Sequence, residues 1–477
     1  MFSGISLMIL QTPLPHIREY VSELNAALRE QSHKPLSRIQ SEFLMFVLLG
    51  MLLTQSLCWA RLERVSGGRY QDGALSKMFY HGLKCWEYLL PASALIVMRR
   101  FKITSGVLVL DDTDRGRSKN TTKIWGTHKT VLKGTGGFHL AQNIVFLVLV
   151  TPEISIPVGA EFYRPDPVLR EWNKNDKKLI KQGVKKKDRP SKPKRQSDYP
   201  NRATLAGSLI EQFQIDYPEL SVKAILADSA YFSPFFRRQL HEIYQNVQVL
   251  SQMRKNQKVR FRRGQELAVE DFFRNRKWKS ASLQLRGHRD TVVHYCSALV
   301  TIVSHGRKYR VVALKYGDEK EPRFLVASDS SWRPEDIIRY YSLRWLVEVF
   351  IEDWKQHEGW GNMAYQQAED GTRRGLLLSL LLDHSLFFYA EQTTLLKHKL
   401  PALTVGSLRS AIQNDSLVSV VSDVVNDDDP VNALELLKAQ LQEFQIRNSS
   451  TKHLSGRTML KFTSKIKNVL YSEKMAA

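Results

Sequence analysis

The stretch GVLVLDDTD, residues 106–114, reads as a strand that ends in acid. Val107 to Leu110 are four consecutive branched apolar residues, the pattern of a strand buried on both faces. The pattern returns in VKAILADSA, residues 222–230, which ends at Asp228. In open α/β sheets the functional crevice lies beyond the carboxyl ends of the strands. Two strands that deliver Asp111–Asp112 and Asp228 to one crevice bring carboxylates together. Like charges at close range repel unless a cation separates them. A hard cation such as Mg²⁺ takes oxygen ligands and keeps positions open for phosphate. Two such ions about 4 Å apart can activate a water or hydroxyl and stabilise a leaving oxygen in an in-line phosphoryl displacement. A strand-end aspartate also caps the next turn, so either site alone is equally an ordinary cap.

A third carboxylate is expected on YYSLRWLVEVFIEDWKQ, residues 340–356. Pro334, Glu335 and Asp336 supply a helix start with acids in the first turn. At about 100° per residue, Tyr341, Arg344, Glu348, Glu352 and Lys355 share one face within roughly 80°. Val347, Val349, Phe350 and Trp354 suit burial on the other sides. Arginine and lysine beside a carboxylate are suited to phosphate next to a metal. Exposed i,i+4 ion pairs give the same stripe, and spacing alone leaves Glu348 and Glu352 both open.

The rest of the chain frames these acids. It has 477 residues, enough for several domains, and Lys plus Arg number 70 against 48 acids, a net +22. An excess of that size points to a polyanion, most often nucleic acid. An anionic membrane is a poorer fit, because no basic amphipathic anchor is evident. Phe43–Leu53 is too short to span a bilayer, and Leu376–Ala390 carries Asp383 and His384, so both read as buried helices. Cys58, Cys85 and Cys296 are too scattered for a disulfide framework or zinc site, which fits a reducing cytoplasm. Ile5–Leu10 lacks the flanks of a signal peptide.

Residues 1–100 read as helical, with Ser41 a cap for the run from Phe43. RLERVSGGRYQDGALSKMFYHGLKCWEYL has the outline of a helix-turn-helix DNA reader or of a basic-surfaced bundle. Residues 101–253 hold three sequential antiparallel strands, then a basic loop at 174–195, then strand–helix–strand. That loop carries eleven basic and two acidic residues and suits a DNA-backbone contact. Residues 254–328 alternate as an all-β block. It is entered by a cluster of Arg254, Lys255, Lys258, Arg260, Arg262 and Arg263 that fits phosphate tracking. FFRNRKWK sets aromatics between cations, as single-stranded or distorted DNA requires. Residues 329–395 carry the acidic helix, and 396–477 are helical with a break at NDDDP. In that last part Leu434, Leu437, Leu441 and Phe444 form a stripe for a partner protomer or an internal core.

At this point the residues resemble a family. Tyr341-x2-Arg344-x3-Glu348-x6-Lys355 resembles the Y-R-E-K signature of DDE transposases from bacterial insertion sequences, the insertion sequence 4 group. Asp111-Asp112-Thr113 is similar to the first catalytic motif of that family and ILADSAYFS to the second. The resemblance covers Val107 to Lys355. It implies an α/β fold, with an RNase H-like catalytic core interrupted by an all-β insertion and flanked by helical regions. It implies Asp112, Asp228 and Glu348 as catalytic ligands of two Mg²⁺ ions, with Mn²⁺ able to substitute. The aspartate before threonine selects Asp112 over Asp111, and the signature spacing selects Glu348 over Glu352.

The implied activity is cut-and-paste transposition. Element ends are cleaved by water, and the freed 3′-hydroxyls are joined to target DNA. The partners are double-stranded DNA at the ends and the target, and a second copy in the end-bound complex. The setting implied is the bacterial cytoplasm, at the nucleoid. By the same resemblance Arg344 and Lys355 bind phosphate, Tyr341 positions the strand, and an insertion aromatic stacks on a flipped base, with Phe324 or Trp278 the candidates. A nuclease without strand transfer, an inactive DNA-binding relative and an RNA-binding protein are the competing readings. The signature predicts that Glu348→Gln abolishes DNA cleavage with binding retained, while Glu352→Gln is milder. An end-cleavage assay on both variants decides the register.

Overall fold

Val107–Leu110 lie on an interior strand of a twelve-stranded sheet and are buried on both sides, in keeping with their unbroken apolar run. The computed structural model describes residues 14–66, 70–117, 121, 123–131, 137–262, 264–285, 288–358 and 366–444. Five helices precede the sheet: α1 (Pro15–Glu30), α2 (Arg38–Thr54), α3 (Trp59–Val65), α4 (Asp72–Lys77) and α5 (Trp86–Arg100), with a π-helical turn at Met78–Gly82 before α5. The cap of α2 is Ser37 rather than Ser41. Ser37 Oγ accepts from Gln40 N, and the Gln40 side chain accepts from Ser37 N, a reciprocal capping box. In the helix-turn-helix candidate, α3 and α4 have seven and six residues, and Lys77, His81 and Lys84 are exposed.

The first half of the sheet contains β1 (Ser105–Arg117), β2 (His128–Val131), β3 (Phe138–Val150) and β4 (Ser155–Tyr163). The chain then forms α6 (Pro167–Lys181) and α7 (Arg202–Asp216). Next come β5 (Ser221–Ala227), α8 (Pro234–Ile243) and β6 (Gln248–Met253). The order is β4-β3-β1-β5-β6. β3 is antiparallel to its neighbours, and β1, β5 and β6 run parallel. The helical crossovers between parallel strands place α7 against α8 and over β3 and β4.

Alternation along each strand divides the core in two. Leu108, Leu110, Leu147 and Ile225 face the N-terminal helices and α7. Val107, Val109, Phe146 and Leu226 face the other way, toward α10 (Pro334–Ser342) and α11 (Trp345–Gln356). There the Phe146 ring meets Phe350 and Trp354 edge-on at 5.5 and 4.9 Å.

Residues 254–328 do not form a sheet of their own. They hold β7 (Lys258–Arg260), β8 (Glu266–Ala268), β9 (Lys279–Leu285), β10 (His288–Ile302), β11 (Arg307–Tyr316) and β12 (Arg323–Ala327). β12 pairs with β6, so these strands extend the central sheet. The block is not all-β either, because α9 (Val269–Arg274) packs Phe273 beneath it.

Two further expectations change. The single helix expected over 334–356 is broken. Leu343 N and Arg344 N bond three residues back, to Tyr340 O and Tyr341 O, a tight turn between α10 and α11. Ser342 Oγ bonds back to Arg339 O at the same place. The basic 174–195 stretch is not all loop, because α6 runs through Lys181. Its capping Asp166 accepts from Val168 N and Leu169 N.

After the sheet come α12 (Ala368–Leu386), α13 (Ala390–Lys397), α14 (Val405–Val425) and α15 (Pro430–Phe444), with NDDDP between the last two. In the proposed partner stripe Leu434 is exposed and Leu437 packs beside Val424, while the Leu441 and Phe444 side chains lie outside the described residues. No described helix is long and apolar enough to cross a membrane.

A buried hydrogen-bond chain ties α1, α5, α12 and β4 together. Tyr20 Oη lies 2.6 Å from Ser93 Oγ, which lies 2.7 Å from His384 Nδ1. His384 Nε2 lies 3.0 Å from Pro157 O. A carbonyl only accepts, so Nε2 carries the proton, Nδ1 accepts from Ser93, and Ser93 accepts from Tyr20. Burial holds the His384 imidazole at about 3, so it stays neutral in the fold. The unfolded chain therefore binds a proton that the fold refuses between pH 6.5 and 3. Stability falls as pH drops through that window, by about 1.4 kcal/mol per unit from this one group. Urea unfolding at pH 7.5 and 4.5 checks it: His384→Gln is less stable than wild type at pH 7.5, and its further loss on acidification is smaller by about one proton's slope.

Candidate active site

The site begins with a register. β1 and β5 are parallel, with Val109 level with Leu226 and Leu110 level with Ala227. The next residues, Asp111 and Asp228, are therefore neighbours at the strand ends. Val107 and Val109 share the α10–α11 face with Ala224 and Leu226, so alternation sends Asp111 and Asp228 to that face. Two contacts agree. Arg344 Nη1, at the start of α11, donates to Asp111 Oδ2 at 3.0 Å. Lys355 Nζ donates to Thr113 Oγ1 at 2.5 Å and to Asp114 O at 3.1 Å.

Asp112 turns to the opposite face. Its Oδ2 accepts from Asn143 Nδ2 at 3.2 Å and lies 3.6 Å from Arg202 Nε of α7. Asn143 also donates to Asp114 Oδ1 at 2.6 Å. Of the two neighbouring aspartates, Asp111 therefore faces α11 and Asp112 the side of α7. A residue of that parity looks away from Asp228 and α11.

Glu348 is on the right helix. Its Oε1 accepts from Arg344 Nη2, so one guanidinium bridges Asp111 and Glu348. Glu348 is half exposed, while Arg344 and Asp111 are mostly covered. Glu352 is exposed and accepts from Gln356 Nε2 at 3.1 Å. Asp228 is partly engaged as a cap. Its Oδ1 accepts from Ser229 N at 2.6 Å, and Ser251 Oγ holds its carbonyl at 3.1 Å. The capping reading is thus true of one oxygen.

The electrostatics record the crowding. Burial raises the Asp111 carboxyl to about 6. Arg344 opposes the rise, and the neighbouring Asp112 and Asp228 add to it. Tyr341 was expected on the polar stripe. It lies within α10 and is buried, 9% exposed, with the Arg344 guanidinium 6.0 Å from its ring. Burial raises its phenol, and Asp228 and Asp111 raise it further. Tyr231, which sequence reasoning did not single out, lies buried under the same acids. Its phenol is raised by burial first and by Asp112 next.

Oxygen donors on two level strands fit a hard divalent ion. Among the described residues, however, no three His, Cys, Asp or Glu side chains are gathered around a metal position. The guanidinium of Arg344 supplies the positive charge between Asp111 and Glu348.

The remaining candidates are dispersed. Arg254, Lys255, Lys258, Arg260 and Arg262 are exposed along the start of the added strands. Lys255 lies near Glu270 and Glu321, and Arg260 near Glu266, each at 3.8–3.9 Å. Arg263 lies outside the described residues. Phe324 is 2% exposed and packs on Phe273, so it cannot meet a base. Trp278 is half-buried under Lys315. The exposed aromatic here is Phe261, with Arg262 and Arg276 within 5.3 Å of its ring centre.

Residues 196–382 match the family model of the transposase DDE domain. That match supports a DDE transposase. It takes in Asp228 and Glu348 and begins beyond Asp111 and Asp112. No curated protein matches the chain. Among solved structures, the piggyBac transposase synaptic complex with hairpin DNA is similar at 9% identity, over 94% of this chain and 87% of that chain. Its TM-score is 0.39, a likeness too slight to bear on the site.

The Arg344 bridge yields a direct test. Arg344→Gln leaves Asp111 and Glu348 without their shared cation. It should cost about 2 kcal/mol in metal-free urea unfolding. Millimolar Mg²⁺ should return a larger part of that loss to the variant than it adds to wild type.

Proposed function

We propose that the chain is a DNA transposase whose reacting centre is built from Asp111, Asp228 and Glu348, with Asp111 in the place that the signature gives to Asp112. The observation that carries the reading is the pair of level aspartates under the helix that bears Glu348, in a chain whose residues 196–382 match a transposase DDE domain. The order β4-β3-β1-β5-β6 suits an RNase H-like core with acids at the ends of parallel strands.

Mg²⁺ or Mn²⁺ at these carboxylates would supply Lewis acidity at a phosphodiester and a more acidic water or hydroxyl. The chain's own groups do the rest. Asp111 and Asp228 are fixed by the sheet and present oxygens to one face. Glu348 is half exposed and joins them when Arg344 releases it. Arg344, once free, is a planar donor fork for a phosphate oxygen. Lys355 is pinned to Thr113 and holds α11 in register with β1. The cations from Arg254 to Arg262 contact backbone phosphate. Cutting at the ends of a mobile element and joining the freed 3′-hydroxyls to target DNA, with two copies pairing the ends, is the reaction class proposed.

The test uses purified full-length protein on duplex DNA flanking its own gene, with Mg²⁺ or with EDTA, followed by a 3′-hydroxyl joining assay. Cuts at two defined ends should require Mg²⁺ and be lost in Asp111→Asn, Asp228→Asn and Glu348→Gln. Asp112→Asn should slow cleavage by about 10- to 100-fold without abolishing it, as expected for a supporting rather than a ligating group. Cleavage that survives Asp111→Asn but not Asp112→Asn would sink the assignment by face. Binding without any cutting by wild type would sink the enzymatic reading.

A further inference from the structure

We infer that the concave surface between α6 and the β2–β3 hairpin is a second DNA-binding site, a cradle for the sugar–phosphate backbone of duplex DNA outside the reacting centre. The surface encloses about 1210 Å³. Arg170, Lys174, Lys177, Lys178 and Lys181 of α6 all line it. Their spacing of four, three, one and three residues places them on one helical stripe, within about 100°.

The carboxylates nearby are few and engaged. Asp166 caps α6 and accepts from Gln196 N at 2.8 Å. Glu171 sits 3.6 Å from Lys174, and Asp176 is bound to Arg189 at 2.7 Å. No carboxylate of the described residues pairs with Arg170, Lys177, Lys178 or Lys181. Cations left so crowded on one concave wall repel one another, and a polyanion relieves that repulsion.

The opposite wall is prepared rather than merely charged. The Arg164 guanidinium lies 4.7 Å from the Trp125 ring centre and 4.8 Å from that of Tyr199, held by both. Lys129 sits 4.7 Å over Phe138, which is itself exposed. Rings that hold cationic heads in place reduce the ordering cost of phosphate contacts.

The cradle also runs into the strand that bears the acids. Arg202 lies 4.8 Å over the ring of Tyr163, which lines the cradle. The same Arg202 donates to Asn143 Oδ1 at 3.0 Å and neighbours Asp112. Asp112 thereby anchors the cradle's inner end, on the sheet face opposite Asp111. A duplex lying in the cradle is led to the strand ends without occupying the reacting centre. The choice of DNA over other polyanions rests on the function proposed above, while the cradle's geometry does not.

The experiment is fluorescence anisotropy of full-length protein with a random-sequence 40-base-pair duplex, in EDTA, across a KCl series. Because EDTA suppresses cleavage, failure of the enzymatic reading leaves this result interpretable. Lys177→Glu/Lys178→Glu/Lys181→Glu should weaken binding by about 30-fold or more near 0.1 M salt, and reduce the slope of log K against log [KCl] by about 2.7. Lys102→Glu/Lys397→Glu/Lys399→Glu changes net charge equally outside the cradle and should lose under about threefold. Circular dichroism melting should confirm that both variants are folded. If the α6 variant misfolds, the milder Lys177→Gln/Lys181→Gln is used, with a slope change of about 1.8 expected. Equal losses in the two charge-reversed variants, or an unchanged salt slope, would overturn the cradle. A loss confined to duplex RNA, with DNA binding intact, would overturn the choice of DNA.

Discussion

The parallel pairing that sets Leu110 level with Ala227 is the constraint on which the site depends. Side chains on neighbouring strands point the same way at the same level, and a shift of one residue reverses every one of them. Both strands are buried on both faces, so each parity is fixed by its own core. Slipping the register would drive Leu108 and Leu110 against α11 and would lift Asp111 away from Asp228. The aspartates are therefore positioned by the packing of the apolar residues that precede them. Helix α11 is placed by the same face, through Phe350 and Trp354 on Phe146.

This precision leaves unfavourable charge in the fold. Asp111 is mostly covered, and its neighbours Asp112 and Asp228 are also acidic. Folding alone does not favour acids arranged so, and a bridging guanidinium offsets part of the cost. Arg344 reaches both Asp111 and Glu348 because the tight turn at Leu343 redirects the chain just ahead of it. Tyr341, at the end of α10, is buried on the same face, where Asp228 and Asp111 add to the rise that burial gives its phenol. The local break in the helix is thus part of the construction of the site.

The strands and their terminal acids were legible because unbroken apolar runs ending in aspartate leave few alternatives. The buried faces of α2 and α12 were legible for the same reason. What one-dimensional pattern could not supply was which parity of β1 faces α11. Asp111 and Asp112 are chemically identical, and only the pairing with β5 separates them. The wheel over 340–356 assumed one helix, and nothing in the spacing marks the tightened turn at Leu343, yet Arg344 and Lys355 of its stripe do meet the acid-bearing strand. Phe324 reads as a strand aromatic available for stacking, yet the pairing of β12 with both β6 and β11 closes it into a core. The α6 lysines read as loop because composition weighs charge, while the helix is set by the Asp166 cap, Pro167 at the first position and the apolar Leu169 beneath.

Asp112 then acquires a physical role of its own. A carboxylate on the far parity of β1 meets Asn143 and Arg202, and Arg202 reaches the ring of Tyr163. Consecutive residues of one strand thus serve opposite faces: Asp111 and Thr113 hold the arginine and lysine of α11, while Asp112 and Asp114 engage the asparagine of β3. Alternation in a strand is usually discussed as a rule for what is buried. Here it distributes charge. One acid-rich segment meets the arginine and lysine of α11 on one face and, directly behind it, the arginine that reaches the ring of Tyr163.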